Sequence, residues 1–260
     1  MKNFLKKLYR DFYLVKNILF DKNHFYKVTK SQNRNQENIF VQKLSKYIVN
    51  KSFVEVGFDY SQFNFIYLIK KLFTGVLVDA GSRKNIFMMK LIVFLLKRKV
   101  KVLKEFITLD NILDVFPQNN VGALSIDIDG NDFHIINKIL NNKIIPEVIV
   151  IEYNSTFLNK SITIPYKKNF NRFLYHNSGF YHGASLKAFC KLFKKKNYYL
   201  VKIIGGINAI FVNKDIFYQA SLTEILSKNV KDHNYIREKI SKLSPIQQFQ
   251  VIRHMPFIKV

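Results

Sequence analysis

The run Leu-Ser-Ile-Asp-Ile-Asp-Gly-Asn-Asp-Phe-His-Ile, residues 124–135, places three carboxylates within six positions: Asp127, Asp129 and Asp132. Asp127 and Asp129 alternate with Ile126 and Ile128. In a strand this puts both acids on one face, where they repel each other. A like-charge pair held against repulsion is expected to transfer protons or hold a hard cation. Asp132 has a plainer reading, because an acid in the first turn of a helix over 131–140 is favoured by the helix dipole alone. The stretch also resembles a D-x-D-x-D-G calcium loop. Its glycine follows the second Asp directly and its flanks are strand-like, so the match is poor.

The chain has 260 residues with formal net charge +24, yet only 18 Asp and Glu. Seven of these acids fall at or just past the ends of expected strands: Glu55, Asp59, Asp79, Asp127, Asp129, Asp132 and Glu152. From residue 52 short β-rich runs alternate with helical patterns. Strands are expected over 53–58, 75–80, 100–108, 121–129 and 146–154, with helices over about 62–73 and 84–98. A short helix should follow Thr108, which can cap it. This alternation predicts an α/β fold, a parallel sheet with helices on both faces. In such sheets ligands bind outside the carboxyl ends of the strands, so the acid marks the site.

Beyond residue 154 an aromatic-rich, irregular stretch runs to about 184. A helix capped by Ser185 follows, and then a hairpin, Tyr198–Ile204 and 208–212, turning at Gly205-Gly206. Residues 1–48 read as a helical extension, 49–218 as the α/β domain and 219–260 as a helical tail whose last helix starts at Ser244-Pro245. In the first helix Phe4, Leu5, Leu8, Phe12, Val15 and Leu19 fall near one face, expected to pack on the domain. Peripheral contact with a membrane through this basic helix is the lesser expectation. The N-terminus lacks the apolar run of a signal peptide, and with a single cysteine, Cys190, no disulfide is expected. A soluble cytoplasmic protein is the expectation. The basic residues are scattered, so no specific nucleic-acid partner is expected.

Asp79, closing the second strand, occupies the place where nucleoside-binding sheets hold ribose hydroxyls. The first loop has one glycine, Gly57, and neither G-x-G-x-x-G nor a Walker lysine. A nucleoside ligand without a phosphate chain fits better than NAD or ATP, and S-adenosylmethionine is such a ligand, whose sulfonium cation suits nearby carboxylates.

The segments VEVGFDYSQFN (54–64), GVLVDA (75–80), FITLDNI (106–112), LSIDIDGNDFHII (124–136) and VIVIEYN (148–154) resemble FkbM-like class I S-adenosylmethionine-dependent methyltransferases. IPYKKNF (164–170), GFYHGASL (179–186) and GGINAIFV (205–212) extend the likeness. The resemblance implies a Rossmann-like seven-stranded, mostly parallel sheet with one antiparallel strand. It also implies methyl transfer, commonly to a hydroxyl of a sugar or of a surface-glycan or secondary-metabolite precursor. Glu55, Gly57 and Asp59 would line the methionine end of the cofactor, Asp79 would hold the ribose, and Asp127 and Asp129 would face the methyl and the acceptor.

A hydroxyl acceptor must lose its proton, and Asp127, His182 and His176 are the candidate bases. Alternatively Asp127, Asp129, Glu152 and Asn154 would gather Mg²⁺ or Mn²⁺ to acidify the hydroxyl. Two other classes remain at this stage. One is a D-x-D-G phosphatase with Asp127 as nucleophile and Asp129 as acid. The other is a non-catalytic polyanion-binding protein on a degenerate methyltransferase scaffold.

Overall fold

The computed structural model describes residues 2–21, 36–117, 120–231 and 233–260. Five parallel strands come first: β1 (Ser52–Val56), β2 (Thr74–Asp79), β3 (Val100–Lys104), β4 (Ala123–Ile126) and β5 (Val148–Glu152). A two-residue strand β6 (Ile162–Thr163) and the hairpin β7 (Tyr198–Ile204) and β8 (Asn208–Asn213) follow. The main sheet runs β3-β2-β1-β4-β5-β8-β7, with β8 antiparallel to both its neighbours. The alternating pattern implied such a parallel sheet, and the seven-stranded, mostly parallel Rossmann-like arrangement is the one that the resemblance implied. Gly205 and Gly206 both have positive φ, the conformation a two-residue hairpin turn demands.

The central strands are buried on both faces because each face carries its own apolar set. Phe53, Leu77, Ala123, Val148 and Val150 meet one helical layer, while Val54, Val78, Leu124, Ile126, Ile149 and Ile151 meet the other. The first layer comprises α1 (Lys2–Phe20), α2 (Gln36–Leu44), α3 (Ile66–Lys70) and α4 (Arg83–Leu95). The second holds α5 (Asp132–Asn141) and α7 (Leu186–Lys194). Ser82 and Ser185 cap α4 and α7 through their hydroxyls, as Ser185 was expected to do.

The short α6 (Arg172–Tyr175) lies in the irregular stretch, and α8 (Lys214–Gln219) follows the hairpin. The tail holds α9 (Tyr235–Ser241) and α10 (Pro245–Ile252), the latter opened by a full capping box from Ser244 and Gln247. It is not wholly helical, for it ends in β9 (Ile258–Lys259), paired antiparallel with β6. Ile252, Phe249 and Phe257 of the tail pack with Phe157, Ile164 and Tyr181 in a third, smaller core. The tail is therefore fastened over the irregular stretch.

Several expected boundaries move. The helix expected over 62–73 shrinks to α3, because residues 57–65 turn tightly at the sheet rim. The third strand stops at Lys104, four residues early, and after Thr108 comes only a 3₁₀ turn, Ile112–Val115. Thr108 opens this stretch, its hydroxyl accepting the Asp110 amide and its carbonyl the Ile112 amide, while Asn111 stands at the N-cap of the 3₁₀ turn itself. The packed face of α1 also differs. Leu14, Ile18 and Asp11 are buried, whereas Phe12 and Leu19, expected inside, are exposed. Asp11 is drawn in because the Tyr60 hydroxyl and Lys84 both bond it. The side chains of Phe4, Leu5 and Leu8 lie outside the described residues.

One glycine fixes how the strand ends meet. Gly57 has φ +82°, and a Cβ there would stand 1.7 Å from the carbonyl oxygen of Asp127. Gly57→Ala is expected to destabilise the fold by at least about 3 kcal/mol, since backbone faces backbone and neither can yield. Urea unfolding midpoints would measure it, and a wild-type midpoint would contradict this account of the junction.

Candidate active site at the carboxyl rim of the sheet

Parallel pairing lines up the rim. Val56 pairs with Val78 and Ile126, and Ile126 pairs with Ile151. The next residues along, Asp79, Gly57, Asp127 and Glu152, thus form a row across four strand ends, extended by Asn208 opposite Glu152. Two clefts of about 180 and 320 Å³ open along this row and share Gly57, Asp79 and Asp127. Their walls carry Glu55, Asp59, Asp79, Glu105, Asp127 and Asp129, and no lysine, arginine or histidine. In a chain of net charge +24 this is a marked segregation.

Asp127 and Glu152 meet at the middle of this row. They end neighbouring strands side by side, and two carboxylates so placed are expected to share a proton before both ionise. Burial, then the charges of Asp132 and Asp129, push Asp127 up to about 7 from an ordinary 3.8. Glu152, 8% exposed, is raised well above its ordinary value by burial and then by Asp127. Both carboxyls are thus biased toward the protonated form, and the titration of the pair belongs to both residues.

Asp129 is not the strand-face partner of Asp127 that alternation suggested. The strand ends at Ile126, and Asp129 lies in the left-handed region at φ 56°, facing outward to an ion pair with Arg172. Asp132 closes the same loop, accepting the amides of Ile128 and Gly130 at 2.9 Å each. Its role is structural, as its position in the first turn of α5 suggested.

Other expected residues divide in the same way. The buried Glu55 carboxylate accepts the amides of Asn64 and Phe65, so it pins the loop that walls the cleft. Asp59 is exposed and binds the amide and hydroxyl of Ser61, making a turn and not a helix cap. Asp79 accepts from Gly81 and Asn85 through Oδ2, leaving Oδ1 for a ligand. His176 bonds Ser178 and lies beside His254, with ring centres 5.9 Å apart, so nothing ties it to the Asp127–Glu152 pair as a base.

His182 is 1% exposed, and its Nδ1 stands 3.9 Å from Glu152. Its Nε2 is 2.8 Å from the Arg237 guanidinium. Arginine can only donate, so Nε2 supplies its lone pair and Nδ1 carries the hydrogen. Burial and then the charges of Arg237 and Arg172 hold the ring neutral, with a pKa well below the ordinary value. His182 therefore presents an N–H to the carboxylates and has no free lone pair with which to act as the base.

Asn154, expected as a metal ligand, is spent on structure. Its Nδ2 donates to the carbonyls of Phe180 and His182, and its Oδ1 accepts from Thr156 and Arg237. It positions the loop that carries His182. Asp129, Glu152 and His182 do each bring one ligand-type atom within 4.8 Å of the others. With hydrogen on Nδ1, however, the imidazole of this group faces it as a donor.

Three contributors escape sequence reasoning. Glu105 sits at a strand end that the pattern had run past. Arg172 and Arg237 come from α6 and α9, the latter 83 residues from the Asn154 it binds. The available signal is compositional: seven of the 42 basic residues are arginine, and two of the seven end here. Arginine's planar fork binds several acceptors at once, which lysine cannot reproduce.

No family model matches the sequence, and no curated protein does. Solved structures with a similar arrangement include the O-methyltransferase from Bacillus cereus in complex with SAH. It is 16% identical over 68% of this chain and 80% of that one, with a TM-score of 0.46. An S-adenosylmethionine-dependent methyltransferase from Clostridium acetobutylicum is 9% identical, covering 69% and 91% of the two chains, with a TM-score of 0.44. A methyltransferase from Geobacter sulfurreducens is 12% identical over 68% and 77%, with a TM-score of 0.41. A shared sheet at such identities does not carry chemistry from one chain to another, which must be sought in the rim itself.

The raised pKa has a consequence for stability. A carboxyl titrating near 7 in the folded state and near 3.8 when unfolded binds its proton more tightly when folded. Its contribution is complete below about 4 and is lost as pH rises to about 7. Asp127→Asn cannot lose it, so the melting temperature of the variant relative to wild type should rise from pH 4 to pH 7 and then level. A difference independent of pH would contradict the shared proton.

Proposed function

We propose that the protein transfers a methyl group from S-adenosylmethionine to a hydroxyl of a sugar or of a related glycan or secondary-metabolite precursor. The observation that carries the cofactor reading is the acidic cleft without a basic residue in a strongly basic chain. Such a site repels phosphates and attracts a cation, which favours a sulfonium nucleoside over a nucleotide. In this reading Oδ1 of Asp79 accepts from the ribose hydroxyls, and Val78, Phe106 and Ile107, which line the same cleft, wall the base. The sugar acceptor rests on the resemblance of the motifs.

When bound, the cofactor supplies a methyl group already activated by the positive sulfur. The chain's own task is alignment and proton removal. Asp127 takes the hydroxyl proton as the acceptor oxygen bonds the methyl carbon and the carbon–sulfur electrons return to sulfur. The added proton cancels the negative charge that the pair carries before transfer, a charge that the Nδ1–H of His182 and the nearby Arg237 stabilise. A carboxyl titrating near 7 is matched to this work at neutral pH.

A metal-assisted route is the second reading, supported by the Asp129, Glu152 and His182 group. It requires Arg237 to leave Nε2 so that the proton can move off Nδ1, and the metal-free base is therefore favoured. The D-x-D-G phosphatase reading fits less well, because Asp129 is engaged outward with Arg172 and Asp127 lies against the Glu152 carboxyl.

Asp79→Ala is expected to weaken S-adenosylhomocysteine binding by roughly ten- to a hundredfold in calorimetry, the loss of a charge-assisted hydrogen bond. Asp127→Asn should keep that affinity while turnover on a hydroxylated acceptor falls by about 10²–10⁴. EDTA should leave the wild type active. No binding of S-adenosylhomocysteine by the wild type would end the cofactor reading, and silencing by EDTA with rescue by Mg²⁺ would install the metal route instead.

A further inference from the structure

The outward face of α1 is apolar where a surface helix is normally polar. Asp11, Leu14 and Ile18 pack inward, and the opposite side presents Tyr9, Phe12, Tyr13, Leu19 and Phe20, from 49% to 83% exposed, around Lys16. At 100° per residue these five fall within one broad sector of the helix. Such a concentration of large apolar side chains in water is the mark of an interaction surface.

The neighbouring helix repeats the theme. α4 is tied to α1 by the ion pair of Lys84 with Asp11, and its solvent stripe reads Arg83, Phe87, Lys90 and Phe94, with Lys97 just beyond. Phe87 is 64% and Phe94 77% exposed. Acid is missing from both outward faces: Asp11 is the only carboxylate within α1, it is buried and neutralised by Lys84, and α4 has none. Lys2, Lys6, Lys7, Arg10 and Lys16 add basic charge along α1.

We infer that α1 and α4 form a docking surface for an anionic lipid bilayer, lying in the headgroup plane with the aromatic side chains inserted. Charge complementarity decides the partner. A face of basic and aromatic residues without acid attracts an anionic surface and gains further by burying its rings at the apolar boundary. Among the described residues no helix is long and apolar enough to cross a membrane, so the contact is one of lying on the surface. The contact does not depend on what the rim does.

Cosedimentation of the full chain with vesicles tests the inference. Binding is expected to phosphatidylcholine vesicles containing 30% phosphatidylglycerol (roughly the anionic fraction that gives a strong surface potential), and little to pure phosphatidylcholine. The double variant Phe12→Ser, Phe20→Ser should weaken it by at least about tenfold at low salt. Ile240→Ser, at a site 79% exposed on α9, should leave it unchanged. Three results would overturn the proposal: no binding to the anionic vesicles; binding that the double variant retains, which would reduce it to the chain's general charge; or a dimer in sedimentation equilibrium that the double variant abolishes while lipid binding persists, which would give the face to a second copy.

Discussion

The adjacency of two carboxylates, Asp127 and Glu152, at neighbouring strand ends is the constraint around which the rim is arranged. Parallel pairing of β4 with β5 sets these two carboxylates side by side at the strand ends, Glu152 buried and Asp127 partly so. Two bare negative charges there would repel by several kcal/mol, so the site must hold a proton or a cation. The surroundings favour the proton. Arg237 occupies Nε2 of His182, which turns the imidazole hydrogen toward Glu152. Asn154 is fully committed to holding the loop that carries His182.

The distribution of charge follows from the same constraint. The chain is basic almost everywhere, yet six carboxylates line the clefts and the arginines nearest them stand outside the lining. Arg172 neutralises Asp129 at the mouth, and Arg237 works from behind. The tail gives Arg237 its place by packing a separate apolar core against the irregular stretch and pairing β9 with β6. It is thus a structural part of the site, although it lies outside the main sheet.

Much of this was legible in the sequence, for identifiable reasons. Runs such as Val-Ile-Val-Ile and the helices between them dictate a parallel sheet, and acids after such runs must collect at one rim. Ser185 and Ser244 announced their helices through capping chemistry that depends on a few neighbouring residues. What escaped depends on contacts distant in sequence or on a single backbone angle. Strand alternation placed Asp129 beside Asp127, but the left-handed turn at Asp129 broke the period. His182 looked like a base until Arg237, from a segment with no local signal, claimed its lone pair. The inward face of α1 was misjudged because a buried Asp11, satisfied by Tyr60 and Lys84, rotates the helix away from its most apolar side.

The most direct test of the central claim is a carboxyl titration by carbon-detected nuclear magnetic resonance, with labelled Asp and Glu assigned through Asp127→Asn and Glu152→Gln. The shared-proton account predicts that one carboxyl equivalent of the pair stays protonated past pH 6 and titrates near 7, with resonances of both residues responding together. Independent titration of both near pH 4, with no response of one to loss of the other, would contradict it and remove the general base from the rim.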